Sequence, residues 1–132
     1  MAVNILFTAS WLSNRNSRVM KPHGITLQQY NVLRILRGQH PNPASVGLIQ
    51  ERMLDKSSNA SRLTDKLVLK KLVERKICPD DRRQMDVKIS QKGLDLLAKL
   101  DADMKELDKE INSNLTEQEA KIVGELLDKL RG

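Results

Sequence analysis

Six side chains within ten residues could each hydrogen-bond to a nucleobase edge: Ser57, Ser58, Asn59, Ser61, Arg62 and Lys66. Hydroxyl, amide and guanidinium groups match the donors and acceptors that base pairs present in the major groove. A second set follows at Arg82 and Arg83, cations of the kind drawn into a minor groove by its negative potential. Asp80 and Asp81 beside them look wrong for DNA until their geometry is considered. A carboxylate can fix the direction of a guanidinium through a bidentate pair, so Asp81 reads as orienting the wing arginines. Lys70 and Lys88 complete the basic set as expected phosphate contacts. Alone, such a set reads equally well as a solvated face, and the elements that carry it decide between the two.

Other chemistry finds no support. His23 and His40 are isolated and share no ligand spacing with Cys78, so a metal site is not expected. There is no glycine-rich phosphate loop, nucleophile elbow or carboxylate pair outside ordinary helical surfaces, and no enzyme or cofactor is expected. Cys78 has no second cysteine with which to form a disulfide within the chain, and it reads as passive.

The apolar spacing predicts a helix over 3–20, broken by Pro22 and Gly24, and a second over 27–37, capped by Thr26 and stopped at Gly38. Ser45 opens a short helix with Val46, Ile49 and Met53 on one face. After the turn at Leu54-Asp-Lys-Ser57, a helix over about 58–71 carries a narrow apolar stripe of Ala60, Leu63 and Leu67. Its other face is polar. A short helix, a tight turn and a helix anchored by a narrow stripe form a helix-turn-helix, whose polar face can enter the major groove. The period then shifts. Segments 74–78 and 86–90 alternate like strands around a turn-rich loop, a two-stranded hairpin with a charged tip. Ser90 caps a helix over 91–112 with Leu97, Leu100, Met104, Leu107 and Ile111 at 3-4-3-4 spacing. Thr116 and Glu119 have the capping-box spacing ahead of a last helix bearing Val123, Leu126, Leu127 and Leu130. The expected class is mainly α with a small two-stranded β-hairpin, a winged helix-turn-helix.

At 132 residues one domain, 1–132, is expected. The net charge of +6 is unevenly placed: +5 over residues 1–50, +5 over 51–92 and −4 over 93–132. A basic body with an acidic tail suits an anionic partner, nucleic acid foremost. The sequence has no apolar run long enough to span a membrane and no basic segment ahead of Ile5-Leu-Phe7, so a reduced, cytoplasmic protein is expected.

The stretch Leu54-Asp-Lys-Ser-Ser-Asn-Ala-Ser-Arg-Leu-Thr-Asp-Lys-Leu67, then Leu72-Val-Glu-Arg75, Asp81-Arg-Arg83 and Val87-Lys-Ile-Ser90 before Gln91-Lys-Gly93, resembles the MarR family of bacterial transcription regulators. The resemblance implies a homodimer built from helices in 1–22 and 91–132, around a winged helix-turn-helix lobe over 26–90. Leu97, Leu100, Met104, Leu107, Ile111, Val123 and Leu127 are the expected dimer seam; for the face from Leu97 to Ile111 the alternative is intrachain core, and both can hold along one helix. The resemblance also implies double-stranded DNA as partner, a pseudo-palindromic operator, and repression relieved by a small aromatic-acid effector. Trp11, Arg15, Met20, His23 and Tyr30 are then candidates to line the effector cleft, against the plainer reading of dimer-core packing for Trp11 and Met20 and solvent for Arg15. One position departs from the family: Lys71 stands where a glycine usually ends the recognition helix, and a lysine there must adopt a left-handed backbone or the turn must be made differently. The alternative reading is a winged-helix module for protein docking, with the Asp101, Asp103, Glu106, Asp108 and Glu110 cluster as its surface.

Overall fold

A computed structural model describes residues 1–132 in full. Its elements are α1 (Ala2–Met20), a single 3₁₀ turn (Lys21–His23), α2 (Leu27–Gln39), β1 (Ala44–Ser45), α3 (Val46–Arg52), α4 (Ala60–Leu69), β2 (Val73–Ile77), β3 (Met85–Ile89), α5 (Gln91–Asn112) and α6 (Glu117–Arg131). The chain forms two compact units, Met1–Leu100 and Asp101–Gly132; α5 begins in the first and ends in the second. No helix is long and apolar enough to cross a membrane.

Each start signal works through its side chain. Thr26 Oγ1 accepts from Gln29 N while Gln29 Oε1 accepts from Thr26 N, a reciprocal capping box. Ser45 Oγ accepts from Leu48 N, and Ser90 Oγ from Gly93 N. Thr116 and Glu119 make the second capping box as expected. Gly24, at φ 71°, turns the chain between α1 and α2.

The first unit is organised around apolar side chains from every layer. Val32, Leu33 and Leu36 of α2, Ile49 of α3, Leu67 of α4, Val87 and Ile89 of β3 and Leu97 and Leu100 of α5 are all 2% exposed or less. Side chains of this size each gain about 1.5–3 kcal/mol on burial, so this layer carries most of the lobe's stability. The sheet order is β1-β3-β2, both pairs antiparallel, with Val73 opposite Ile89 and Arg75 opposite Val87. The alternation puts Val73, Val87 and Ile89 inward and leaves Glu74 and Lys76 exposed.

Four expectations are corrected. α2 continues through Gly38 to Gln39, because its end is set by Pro41 and not by glycine. α4 starts at Ala60, two residues later than expected, since Asn59 caps it. Both strands lie one residue earlier, and the sheet has a third strand, β1, paired to β3 through Ala44 and Val87. Leu97 and Leu100 are wholly buried within their own chain, so they are core and not seam; of that stripe Met104, Leu107 and Ile111 stay partly exposed.

Candidate nucleic-acid interface

The N-terminal end of α4 is built by polar side chains from three neighbouring segments. A helix start leaves four backbone N–H groups without partners. Gln50 Oε1 of α3 accepts from Ala60 N at 2.9 Å, and Asn59 Oδ1 accepts from Arg62 N at 3.1 Å. In the turn, Asn31 Oδ1 of α2 accepts from Leu54 N at 2.9 Å. Asp55 Oδ1 accepts from both Ser57 N at 3.0 Å and Ser57 Oγ at 2.6 Å. These two bonds hold the Asp55 carboxyl below the ordinary carboxylate range, the hydroxyl contributing most. The turn is therefore defined by side chains, not by an apolar plug.

Ala60, Thr64 and Leu67 face the core, leaving Ser61, Arg62, Asp65 and Lys66 on the opposite, exposed face. Asp65 forms an ion pair with Arg75 of β2, which neutralises the one acid on that face and ties the wing's first strand to the helix. Sequence reasoning missed this pair; its signal is that Asp65 is an acid on a face otherwise suited to an anionic partner.

At the other end, α4 closes with Leu72 N donating to Leu67 O at 3.0 Å and Lys71 N to Val68 O at 2.9 Å. This is a Schellman turn, and its left-handed residue is Lys71 at φ 61°. The lysine adopts the conformation that glycine usually supplies, so the turn is preserved and the departure from the family pattern is absorbed locally. The carbonyls left over are taken by α5 and its cap: Lys92 Nζ donates to Lys70 O at 3.1 Å, Ser90 Oγ to Lys71 O at 2.8 Å and Ser90 N to Leu72 O at 3.0 Å. A Cβ at Gly93 would lie 2.3 Å from Leu72 O, so the approach of α5 requires glycine there.

In the wing, Cys78 N donates to Gln84 O at 2.9 Å and Gln84 N to Asp81 O at 3.0 Å, closing the hairpin. Arg82 and Arg83 are exposed at its tip. Asp81 acts differently from expectation: its carboxylate accepts from the Arg83 backbone N–H at 2.9 Å, shaping the turn that presents the arginines.

The expected reading residues thus separate. Ser57, Ser61, Arg62 and Lys66 are exposed together on the turn and α4, with Asn59 contributing its amide nitrogen because its oxygen is spent as the cap. Ser58 leaves the set, as its hydroxyl oxygen is sealed from solvent. Lys70 also leaves it: its ammonium donates to Gly24 O and reaches Gln29 Oε1 at 3.4 Å, fastening the end of α4 to the start of α2. Lys88 lies opposite Glu74 in the strand register, next to the pair of Lys76 and Asp86, and stays partly exposed.

The expected effector residues divide similarly. Met20 is fully buried and Tyr30 is 6% exposed, so both belong to the core, with Arg34 lying over the Tyr30 ring at 5.8 Å. Arg15 lies over the Trp11 ring at 5.0 Å on α1. His23 lines a cavity of about 460 Å³ with Lys70, Leu72, Lys92, Asp95, Leu96 and Lys99.

A short helix, a turn fixed by polar caps, an exposed hydrogen-bonding helix and an arginine-tipped hairpin define a winged helix-turn-helix protein. Residues 23–84 match the sequence model of the MarR family. Over 119 residues the chain is 28% identical to the HTH-type transcriptional regulator MhqR of Bacillus subtilis, spanning 90% of this chain and 81% of that protein. Among solved structures, a MarR-like transcription regulator from Bacillus cereus superposes with a TM-score of 0.88 at 22% identity, covering 98% of this chain and 92% of that one. A mutant MarR from E. coli complexed with operator DNA superposes at 0.82 with 24% identity, covering 96% and 91%. Over residues 23–84 in sequence, and across its fold, the chain is thus similar to MarR-family transcription regulators.

Proposed function

We propose that the protein is a repressor that binds a pseudo-palindromic operator in double-stranded DNA as a homodimer and is released by a small acidic effector. The observation that carries this reading is the exposed face of Ser57, Ser61, Arg62 and Lys66 alongside the arginine tip of the wing, within a segment of net charge +5. Hydrogen-bonding groups on a helix suit base edges in the major groove, while an arginine on a hairpin suits the narrower minor groove. The operator complex of the E. coli relative supports the same use of this fold.

Two further features support the dimer and the effector. Leu6 and Phe7 of α1 are 70% and 72% exposed, and Leu126 and Leu130 of α6 are 58% and 51% exposed. Exposed apolar groups of this size mark surfaces covered by a partner, here a second copy of the chain. Met104, Leu107, Ile111, Val123 and Leu127 belong to the same proposed seam. The cavity at His23 brings Lys99 and the apolar Leu72 and Leu96 together beside one carboxylate, Asp95, and is the candidate site for a small aromatic acid.

Titration of the protein against duplex DNA tests the reading. Affinity is expected to fall by about 10³–10⁵ between 50 and 200 mM salt if the dimer makes roughly 6–10 phosphate contacts. Arg83→Ala is expected to lower affinity at least about tenfold with the dimer intact. A flat response to duplexes at low salt would overturn the proposal and favour protein docking.

A further inference from the structure

We propose that Asp55 converts Ser57 into an acceptor-only reader, so that this corner of the recognition element selects adenine or cytosine, through N6 or N4, over guanine or thymine on the strand it contacts. The inference rests on the DNA-binding reading above and adds a specificity that no part of it assigns.

A serine hydroxyl carries one hydrogen and two lone pairs, so it can serve either a base donor or a base acceptor and discriminates poorly. Here the hydrogen is already committed. Ser57 Oγ donates to Asp55 Oδ1 at 2.6 Å, and the Ser57 backbone N–H donates to the same oxygen at 3.0 Å. The turn is closed independently by Ser58 N donating to Asp55 O at 3.1 Å. Both Asp55 and Ser57 are exposed, so what they turn outward is the hydroxyl's lone pairs and the second carboxylate oxygen, acceptors alone.

Such a pair is poorly suited to the DNA backbone. A carboxylate repels phosphate, and a hydroxyl without a free hydrogen cannot donate to it. The neighbouring cation does not compensate, since Lys56 Nζ is turned back to donate to Glu51 O. The partners that remain are the amino groups of cytosine and adenine in the major groove, against which guanine O6 and N7 and thymine O4 would set acceptor against acceptor.

Selection of binding sites from random duplexes by the full chain, alongside Asp55→Asn and Ser57→Ala, tests this. Wild type is expected to return a palindrome in which one base pair of each half-site carries A or C on the contacted strand, by roughly tenfold over G or T. Asp55→Asn keeps an acceptor for both Ser57 donors but turns an amide N–H₂ outward. Its preference at that pair is expected to fall below about threefold or shift towards G or T, with the other positions retained. Ser57→Ala is expected to lose the preference at the same pair, again with the others retained. A palindrome unchanged in both variants overturns the inference while leaving DNA binding intact. Failure of the wild type to enrich any sequence overturns the DNA reading, and the inference with it.

Discussion

The two ends of α4 are secured by opposite means. At the N-terminal end, side chains supply the acceptors: Gln50 and Asn59 satisfy the helix, while Asn31 and Asp55 hold the turn ahead of it. At the C-terminal end the backbone supplies the acceptors, and the donors arrive from Ser90 and Lys92, while Lys70 itself reaches out to Gly24 O. The first arrangement leaves polar atoms at the surface, where a partner can use them. The second consumes them and brings α5 against the turn so closely that Gly93 has no room for a Cβ. One end is thus built to be read from outside and the other to be held from within. Substitutions at the two ends should separate recognition from stability.

The largest effect is expected from Gly93→Ala. Its Cβ would meet a backbone oxygen, which cannot rotate away, so α5 must shift; a loss of about 3 kcal/mol is expected, at the upper end for overpacking. Denaturant melts measure it, and an unchanged midpoint would show that the junction is looser than its geometry implies. Arg62→Ala comes next, on the exposed face. Operator affinity should fall by about 1–3 kcal/mol, with selectivity relaxed at one base pair and the melt unchanged. Asn59→Ala blurs the two roles, because the cap and a reading group are one residue. Removing it should cost about 1 kcal/mol of stability and weaken binding as well. Lys71→Gly should act in the opposite direction at the C-terminal end. Relief of the left-handed lysine is partly offset by the greater freedom of unfolded glycine, leaving a gain of up to about 1 kcal/mol.

The smallest effect concerns acid. The Asp55 carboxyl sits below its ordinary value of 3.8 because Ser57 donates to its charged form. Its contribution to the turn is therefore complete above that value and disappears as pH falls through the lower folded value. Carboxyl titration by NMR should show Asp55 returning towards its ordinary value in Ser57→Ala.

Much of this was legible in the sequence where the signal is local. The bounds 91–112 of α5, the caps at Thr26, Ser45 and Ser90, and the Thr116–Glu119 box each depend on residues three or four apart, and spacing alone reveals them. The left-handed position of Lys71 was legible as one of two options, because the turn it completes is a local pattern. What was not legible depends on contacts between distant segments. β1 is two residues long and exists because Ala44 meets Val87. Lys70 looks like any exposed cation until its reach to Gly24, 46 residues away, is known. Leu97 and Leu100 share a spacing with Leu107 and Ile111, and only the surrounding lobe divides core from exposed surface. Asp81 was placed correctly in the wing but its partner is the Arg83 backbone, a distinction between side chain and main chain that composition cannot carry.

The claim on which all of this turns is a division of labour, with α4 in the major groove and the wing tip in the minor groove. Dimethyl sulfate footprinting on a selected operator reads both at once, through guanine N7 in the major groove and adenine N3 in the minor groove. Wild type should protect both in each half-site, and Arg83→Ala, at a concentration that restores occupancy, should lose the adenine N3 protection alone. Protection of neither groove, or loss of major-groove protection in the saturated variant, would contradict it.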